Sequence, residues 1–231
     1  MSIPKPQHPI FELTIPSSKK KVQYRAFTVR EEKSLVLAQE AKDVATIARA
    51  IKAVLTECVP GLDVDSLTTF DMEYVMTQVR AKSVGEIVVL NMPCAADPSH
   101  ERTPVRIDLS KIEVTFPEGH QKHIQLFDGG GVMMRYPTFD MLEKIDGADE
   151  ITAAAMCVDY YYNGDEIYDH KDNTVEDFAE LLGALTQTQL DKIKTDFFAT
   201  MPVFKYEFEY KCVQCGHEHH KFIKGLSNFF V

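Results

Sequence analysis

A chain of 231 residues with 45% hydrophobic and 26% charged side chains is long enough for one large or two small domains around a real core. Its formal net charge of −10, with Lys19-Lys20-Lys21 as the one short basic run, argues against a nucleic-acid binder, which carries a clustered basic face. No window approaches the roughly 18 apolar residues of a membrane span, the opening Met-Ser-Ile-Pro-Lys-Pro lacks the apolar centre of a secretion signal, and five cysteines, an odd number, point to a reducing compartment.

In chain order, residues 9 to 27 read as a hairpin. Phe11, Leu13 and Ile15 alternate, Pro16-Ser-Ser-Lys turns, and Val22, Tyr24 and Ala26 alternate back. Thr28-Val-Arg-Glu31 has the spacing of a capping box and starts a helix to about Lys42. Asp43 caps a second helix, whose Val44, Ile47, Ala48, Ile51, Val54, Leu55 and Cys58 share one face until Pro60-Gly61 ends it. A third helix covers about Thr69 to Arg80. From Val84 the period drops to two: Glu86 to Met92 reads as a buried strand, a turn-rich loop runs from Pro93 to Pro104, and short strands lie around Val105–Leu109, Ile112–Phe116 and Ile124–Leu126. Gly129-Gly-Gly131 lacks the Lys-Ser/Thr of a phosphate-binding loop and reads as a turn. Residues 138 to 200 read as helical, with candidates at Phe139–Ile145, Ala148–Tyr161, Thr174–Leu185 and Thr186–Ala199. The acidic stretch Asn163–Asn173 between them fails the EF-hand spacing and reads as a solvated loop.

The strongest chemical signal is near the end. Phe204-Lys-Tyr206-Glu-Phe208-Glu-Tyr210 alternates as a strand, Cys212-Val-Gln-Cys215-Gly216 forms a C-x-x-C-G knuckle, and His219-His220-Lys-Phe-Ile returns. This is half of a zinc ribbon, and a structural zinc needs two more ligands. Three readings stand. The loop at Cys94, with Asp97 where a second Cys would fall and His100 beyond, can complete a two-knuckle site of Cys94, His100, Cys212 and Cys215. A local set can use Cys212 and Cys215 with His217, His219 or His220. The site can also bind nothing. Cys58 and Cys157 lie in apolar helical patterns and read as core, and His120 and His123 read as surface residues. No Gly-x-Ser-x-Gly, His-Glu-x-x-His or activated cysteine is present; Glu218 is the one base an enzymatic zinc would offer. Phe229 and Phe230 read as docked on the body of the protein itself or as partner-binding anchors, because adjacent residues of a strand face opposite ways and one of the two rings needs a second surface.

The ordered combination of Tyr24-Arg-Ala-Phe27-Thr-Val-Arg-Glu31, Arg80-x-x-Ser83-Val84-Gly85-Glu86, Val105-x-Ile107-x-Leu109, Met134-Arg135-Tyr136-Pro137 and Cys212-x-x-Cys215-Gly with Phe229-Phe230 resembles the T4-type bacteriophage baseplate hub assembly proteins over nearly the whole chain. The resemblance implies a non-enzymatic role in building the central hub of the tail baseplate, as hub component or assembly chaperone. The partners would be other hub or tail proteins, and the place the host cytoplasm and then the virion baseplate. Members carry a second Cys pair where this chain has Cys94 and Asp97, which is why His100 matters. The alternatives are an intracellular zinc-dependent enzyme and a zinc-ribbon adaptor.

The expected fold class is α+β: helical segments around a small antiparallel sheet with a zinc-ribbon-like hairpin at the end. Four segments are expected. Residues 1–83 hold a hairpin plus helices, 84–131 the sheet, 132–200 helices, and 201–231 a knuckle hairpin packed on the 84–131 sheet.

Overall fold

The computed structural model describes residues 6–41 and 43–224. In chain order they form β1 (Ile10–Thr14), β2 (Lys21–Arg25), α1 (Val29–Ala41), α2 (Val44–Cys58), α3 (Thr69–Ser83), β3 (Ile87–Met92), β4 (Thr103–Asp108) and β5 (Glu113–Thr115). Next come β6 (His123–Phe127), β7 (Gly130–Met134), α4 (Leu142–Asp146), α5 (Glu150–Met156), β8 (Val158–Asn163), β9 (Glu166–Asp169), α6 (Val175–Gly183), α7 (Gln187–Asp196), β10 (Val203–Lys211) and β11 (Glu218–Lys224). Every pairing between these strands is antiparallel, so the class is α+β, as expected. The chain divides into two compact units: Met1–Val64, Phe70–Thr115 and Val203–Val231 make the first, and Asp65–Thr69 with Phe116–Pro202 the second. The break after Thr115 falls inside the segment read from sequence as 84–131.

In the first unit the β1–β2 hairpin turns as its sequence dictates. The backbone of Ile15 bonds Lys19 and Lys20, each at 2.9 Å, and Lys19 takes φ 56. The turn is tied to α3 by the buried carboxylate of Asp71, which accepts from the Ser17 N–H at 2.9 Å and from its hydroxyl. Asp43 caps α2 by accepting the Thr46 N–H at 2.8 Å. Ala48, Ile51, Val54, Leu55 and Cys58 are the buried members of the α2 stripe, while Val44 stays exposed in the first turn. Strands β3 and β4 pair with each other. The join to the end of the chain is made by β5 instead, in the order β11–β10–β5. Val203 is the register partner of Thr115, so the chain leaves this unit and re-enters it at adjacent positions of one sheet.

The second unit is a four-stranded meander, β6–β7–β8–β9, with α4 to α7. Its core gathers Ile124, Val132, Met134, Val158, Phe178, Leu182, Ile193 and Phe197. The helices expected from Thr174 and Thr186 form, each with a capping box: Thr174 with Asp177 starts α6, and Thr186 with Gln189 starts α7. Two expectations are corrected here. The helix read over Ala148–Tyr161 stops at Met156, and Tyr160, Tyr161 and Tyr162 lie in β8. The stretch from Asn163 is not simply a loop: Asn163 pairs with Glu166, and Gly164-Asp165, with Gly164 at φ 60, turns β8 into β9. A two-residue Gly-Asp loop is a hairpin signal, and it outranks the helical spacing read upstream of it. The Gly129–Gly131 turn likewise continues into β7.

Candidate metal centre

The knuckle is built by β10 and β11. Their register runs from Lys205–Lys224 to Lys211–Glu218 and leaves six residues to turn. The Cys212 N–H donates to the His217 carbonyl and the Gly216 N–H to the Cys212 carbonyl, each at 2.9 Å. Gly216 takes φ 73, a left-handed conformation that strains other residues. This turn aims the N–H groups of Cys215 and Gln214 at the Cys212 sulfur, which pulls that thiol down to about 6.

The second half comes from the loop between β3 and β4. Asp97 accepts from the Ser99 N–H at 2.9 Å and its hydroxyl at 2.7 Å, and its carbonyl accepts the His100 N–H at 3.2 Å. The tight turn places Cys94 and His100 on one side. Three bonds dock the loop on the knuckle: the Tyr210 hydroxyl to the Pro93 carbonyl (2.6 Å), the Val213 N–H to the Thr103 hydroxyl (3.2 Å), and the Glu101 N–H to the Gln214 side-chain oxygen (3.2 Å).

Four donor atoms converge. Those of Cys94, His100, Cys212 and Cys215 all lie within 4.8 Å of one another, so the four could hold a metal ion. The Cys94 and Cys215 sulfurs are 3.8 Å apart, and the Cys212 sulfur is 3.7 Å from His100 Nδ1. Zinc–sulfur and zinc–nitrogen bonds of about 2.3 and 2.0–2.1 Å give tetrahedral edges of about 3.8 Å between sulfurs and about 3.6 Å between sulfur and nitrogen. The donor types suit that ion, and these two separations match its edges. Cys94 and Cys212 are buried, His100 is half-buried and Cys215 is exposed.

Protonation reflects the crowding. Burial works against the Cys94 thiolate, but the His100 ring and the N–H groups of Asp97 and Ala96 outweigh it and bring this thiol below its ordinary range. The His217 N–H favours the Cys215 thiolate, yet local desolvation of its sulfur and the neighbouring thiols Cys212 and Cys94 push this thiol up. His100 is raised, by Cys94 first. Three thiolates this close repel one another, and a divalent cation would remove that conflict.

Asp97, which stands where C-x-x-C spacing would put a ligand, lies behind the His100 ring instead. Its Oδ2 lies 3.5 Å from His100 Nε2, on the ring edge opposite the Nδ1 that faces Cys212. A carboxylate behind a ligating histidine fixes its tautomer and orientation.

The histidines of the local alternative lie elsewhere. His217 and His220 are exposed, and His219 is buried with its ring stacked on Tyr210 at 4.7 Å between centroids. Glu218 pairs with Lys211 at 2.7 Å on the exposed face of the hairpin. Cys58 and Cys157 are buried, and burial pushes their thiols up to about 12 and about 11, as befits core residues. His123 is exposed, as expected. His120 is half-buried against Tyr136 and bonds the Thr200 hydroxyl at 2.9 Å, because its loop packs against the end of α7. Phe229 and Phe230 lie outside the described residues. The sequence reading missed the roles of Asp97, Thr103 and Gln214; an aspartate three positions before the candidate His100 was the one signal that could have pointed to them.

Fold and site together define a class: an α+β protein in which a Cys3His group joins two distant hairpin loops. The chain matches the family model described as T4 bacteriophage base plate protein over residues 8–231, nearly its full length, and it belongs to that family. It is a phage baseplate protein. No curated protein and no solved structure matches it. Among the described residues no helix is long and apolar enough to cross a membrane.

Proposed function

We propose that this baseplate protein acts without catalysis in assembly of the central hub, as hub component or assembly chaperone, in contact with other hub or tail proteins. The ordered motifs from Tyr24 to Phe230 support the hub assignment. The observation that carries the non-enzymatic reading is the donor set itself. Three thiols and an imidazole within 4.8 Å of one another offer four protein ligands, a closed set, whereas a catalytic zinc keeps one position for water. In this reading one structural zinc staples the β3–β4 loop to the β10–β11 turn, so that the hairpin is a rigid support for the segment beyond it. Phe229 and Phe230 then serve as partner contacts; burying one phenylalanine is worth roughly 1.5–3 kcal/mol, enough to matter in a weak assembly interface.

The test is complementation in infected cells, with the full chain and with a chain ending at Gly225. The full chain should be recovered with baseplate hub proteins and support baseplate assembly. The shortened chain should fold, bind metal and fail to support assembly. Recovery of a polymerase instead of tail proteins would favour the adaptor, and a metal-dependent hydrolase activity abolished by Glu218→Gln would favour the enzyme.

A further inference from the structure

The acidity of this protein is not spread evenly. The second unit holds 18 Asp and Glu against 6 Lys and Arg, a net −12; the first holds 17 against 19, a net +2. The carboxylates of the second unit thus outnumber its lysines and arginines by 12. The same unit carries an apolar pocket of about 420 Å³ between α5 and α7. Ile145, Ile151, Ala153, Leu190 and Phe198 wall it, with the buried Ile193 behind them. The only charged side chains on its lining are Glu150 and Lys194, and these pair with each other at 2.9 Å. The elements that frame it carry Glu143, Asp146, Asp149, Glu150, Asp191 and Asp196 against Lys144, Lys192 and Lys194. Lys192 is engaged as well, donating to the Gln125 carbonyl at 2.6 Å.

We propose that this pocket is a docking site for a basic segment of a partner protein, which seats a large apolar side chain between α5 and α7 and sets flanking Lys or Arg residues against the acidic rim. The volume lies in the range of binding pockets, roughly 300–1,000 Å³. A small-molecule site would add convergent polar groups to fix orientation, and this lining offers none beyond one ion pair that is already satisfied. An apolar pocket with a charged surround is the arrangement in which charge selects and steers the partner while the buried anchor holds it. The inference rests on the second unit alone and is independent of the hub reading and of the metal.

The chain contains no tryptophan, so a probe peptide with one tryptophan gives a clean signal. The probes are an amphipathic Leu/Lys helix carrying a single Trp and its Leu/Glu counterpart, titrated into the full-length protein. The basic peptide should bind saturably with a blue-shifted emission, and the acidic one should not. Ala153→Glu is the deciding variant, because it adds negative charge while placing a carboxylate in the apolar wall. Docking in the pocket predicts that binding weakens at least roughly tenfold. Diffuse attraction predicts that it is unchanged or tighter, which overturns the proposal. Ala153→Phe, which fills the pocket without changing charge, should weaken binding in the same way and serves if Ala153→Glu does not keep the wild-type melting temperature. Equal binding of both peptides, or no binding of the basic one, also overturns it.

Discussion

Asp97 Oδ2 lies 3.5 Å from His100 Nε2, while the opposite ring nitrogen of His100 faces the Cys212 sulfur at 3.7 Å. The aspartate thus reaches the metal group through the histidine. Asp97→Asn keeps an oxygen for the Ser99 N–H and removes the charge behind the ring. Zinc should still bind one per chain, with affinity about 10–100-fold lower in competition with a chelator. Unchanged affinity would show that the carboxylate does not orient His100.

Cys94→Ser removes one ligand from a loop 121 residues away from its partner Cys215 in the chain. It should abolish tight zinc binding. Hydrogen exchange should rise in the Pro93–Arg102 loop and the Cys212–His217 turn, since hydrogen bonds such as Tyr210 to Pro93, Val213 to Thr103 and Glu101 to Gln214 then have to join these parts without the metal. Pairing of β10 with β5 has no need of the metal and should stay protected. His100→Cys should keep zinc, because four thiolates also make a complete tetrahedral site.

Two glycines of β7 should respond differently to the same change. A Cβ on Gly131 would stand 2.3 Å from the backbone oxygen of Ile124 and 2.7 Å from the Tyr162 hydroxyl. On Gly130 it would meet only the ring of Phe127, at 2.0 Å, and that side chain is partly exposed and can swing aside. Gly131→Ala should cost about 1–3 kcal/mol and Gly130→Ala less than about 1, as thermal unfolding will report. Equal losses would mean that Phe127 is as fixed as the backbone.

Arg25 clasps Glu31 with bonds of 2.7 and 3.0 Å, and Glu31 also accepts the Thr28 N–H at the start of α1. Arg25 first, and then Thr28, hold the Glu31 carboxyl at about 2, below its ordinary 4.5. A depressed carboxyl stabilises the fold above its unfolded value, so this contribution is complete above about pH 4.5 and disappears as pH falls toward 2. Glu31→Gln should cost about 1–3 kcal/mol at neutral pH and flatten the stability profile in that acid window. A profile that keeps its slope would place the acid sensitivity elsewhere.

The sequence was most legible where one local rule dominates. The α2 stripe, the helix starts at Thr174 and Thr186, and the alternation of β10 each arise from spacing, and each is found. The four metal-group residues were legible because cysteines in turns between strands have few other uses, and the fold brings them together. Strand partners were not. That β10 pairs with β5 depends on a chain excursion of 87 residues, Phe116–Pro202, which no local pattern encodes. The β8 strand was missed because Ala153-Ala154-Ala155 carries helix propensity up to Cys157, whereas the Gly164-Asp165 turn beyond it commits Val158–Asp169 to a hairpin. Asp97 was read as a lost ligand because spacing alone cannot tell a ligand from the group that orients one.

Zinc X-ray absorption of the full-length protein, with metal quantified per chain, tests the stapled hairpin most directly. One zinc is expected, with three sulfur ligands at about 2.3 Å and one nitrogen at about 2.0–2.1 Å. An oxygen ligand in place of the nitrogen or of a sulfur would mean an open site and would return the enzymatic reading. A chain purified under reducing conditions that takes up no zinc would contradict the stapled hairpin itself.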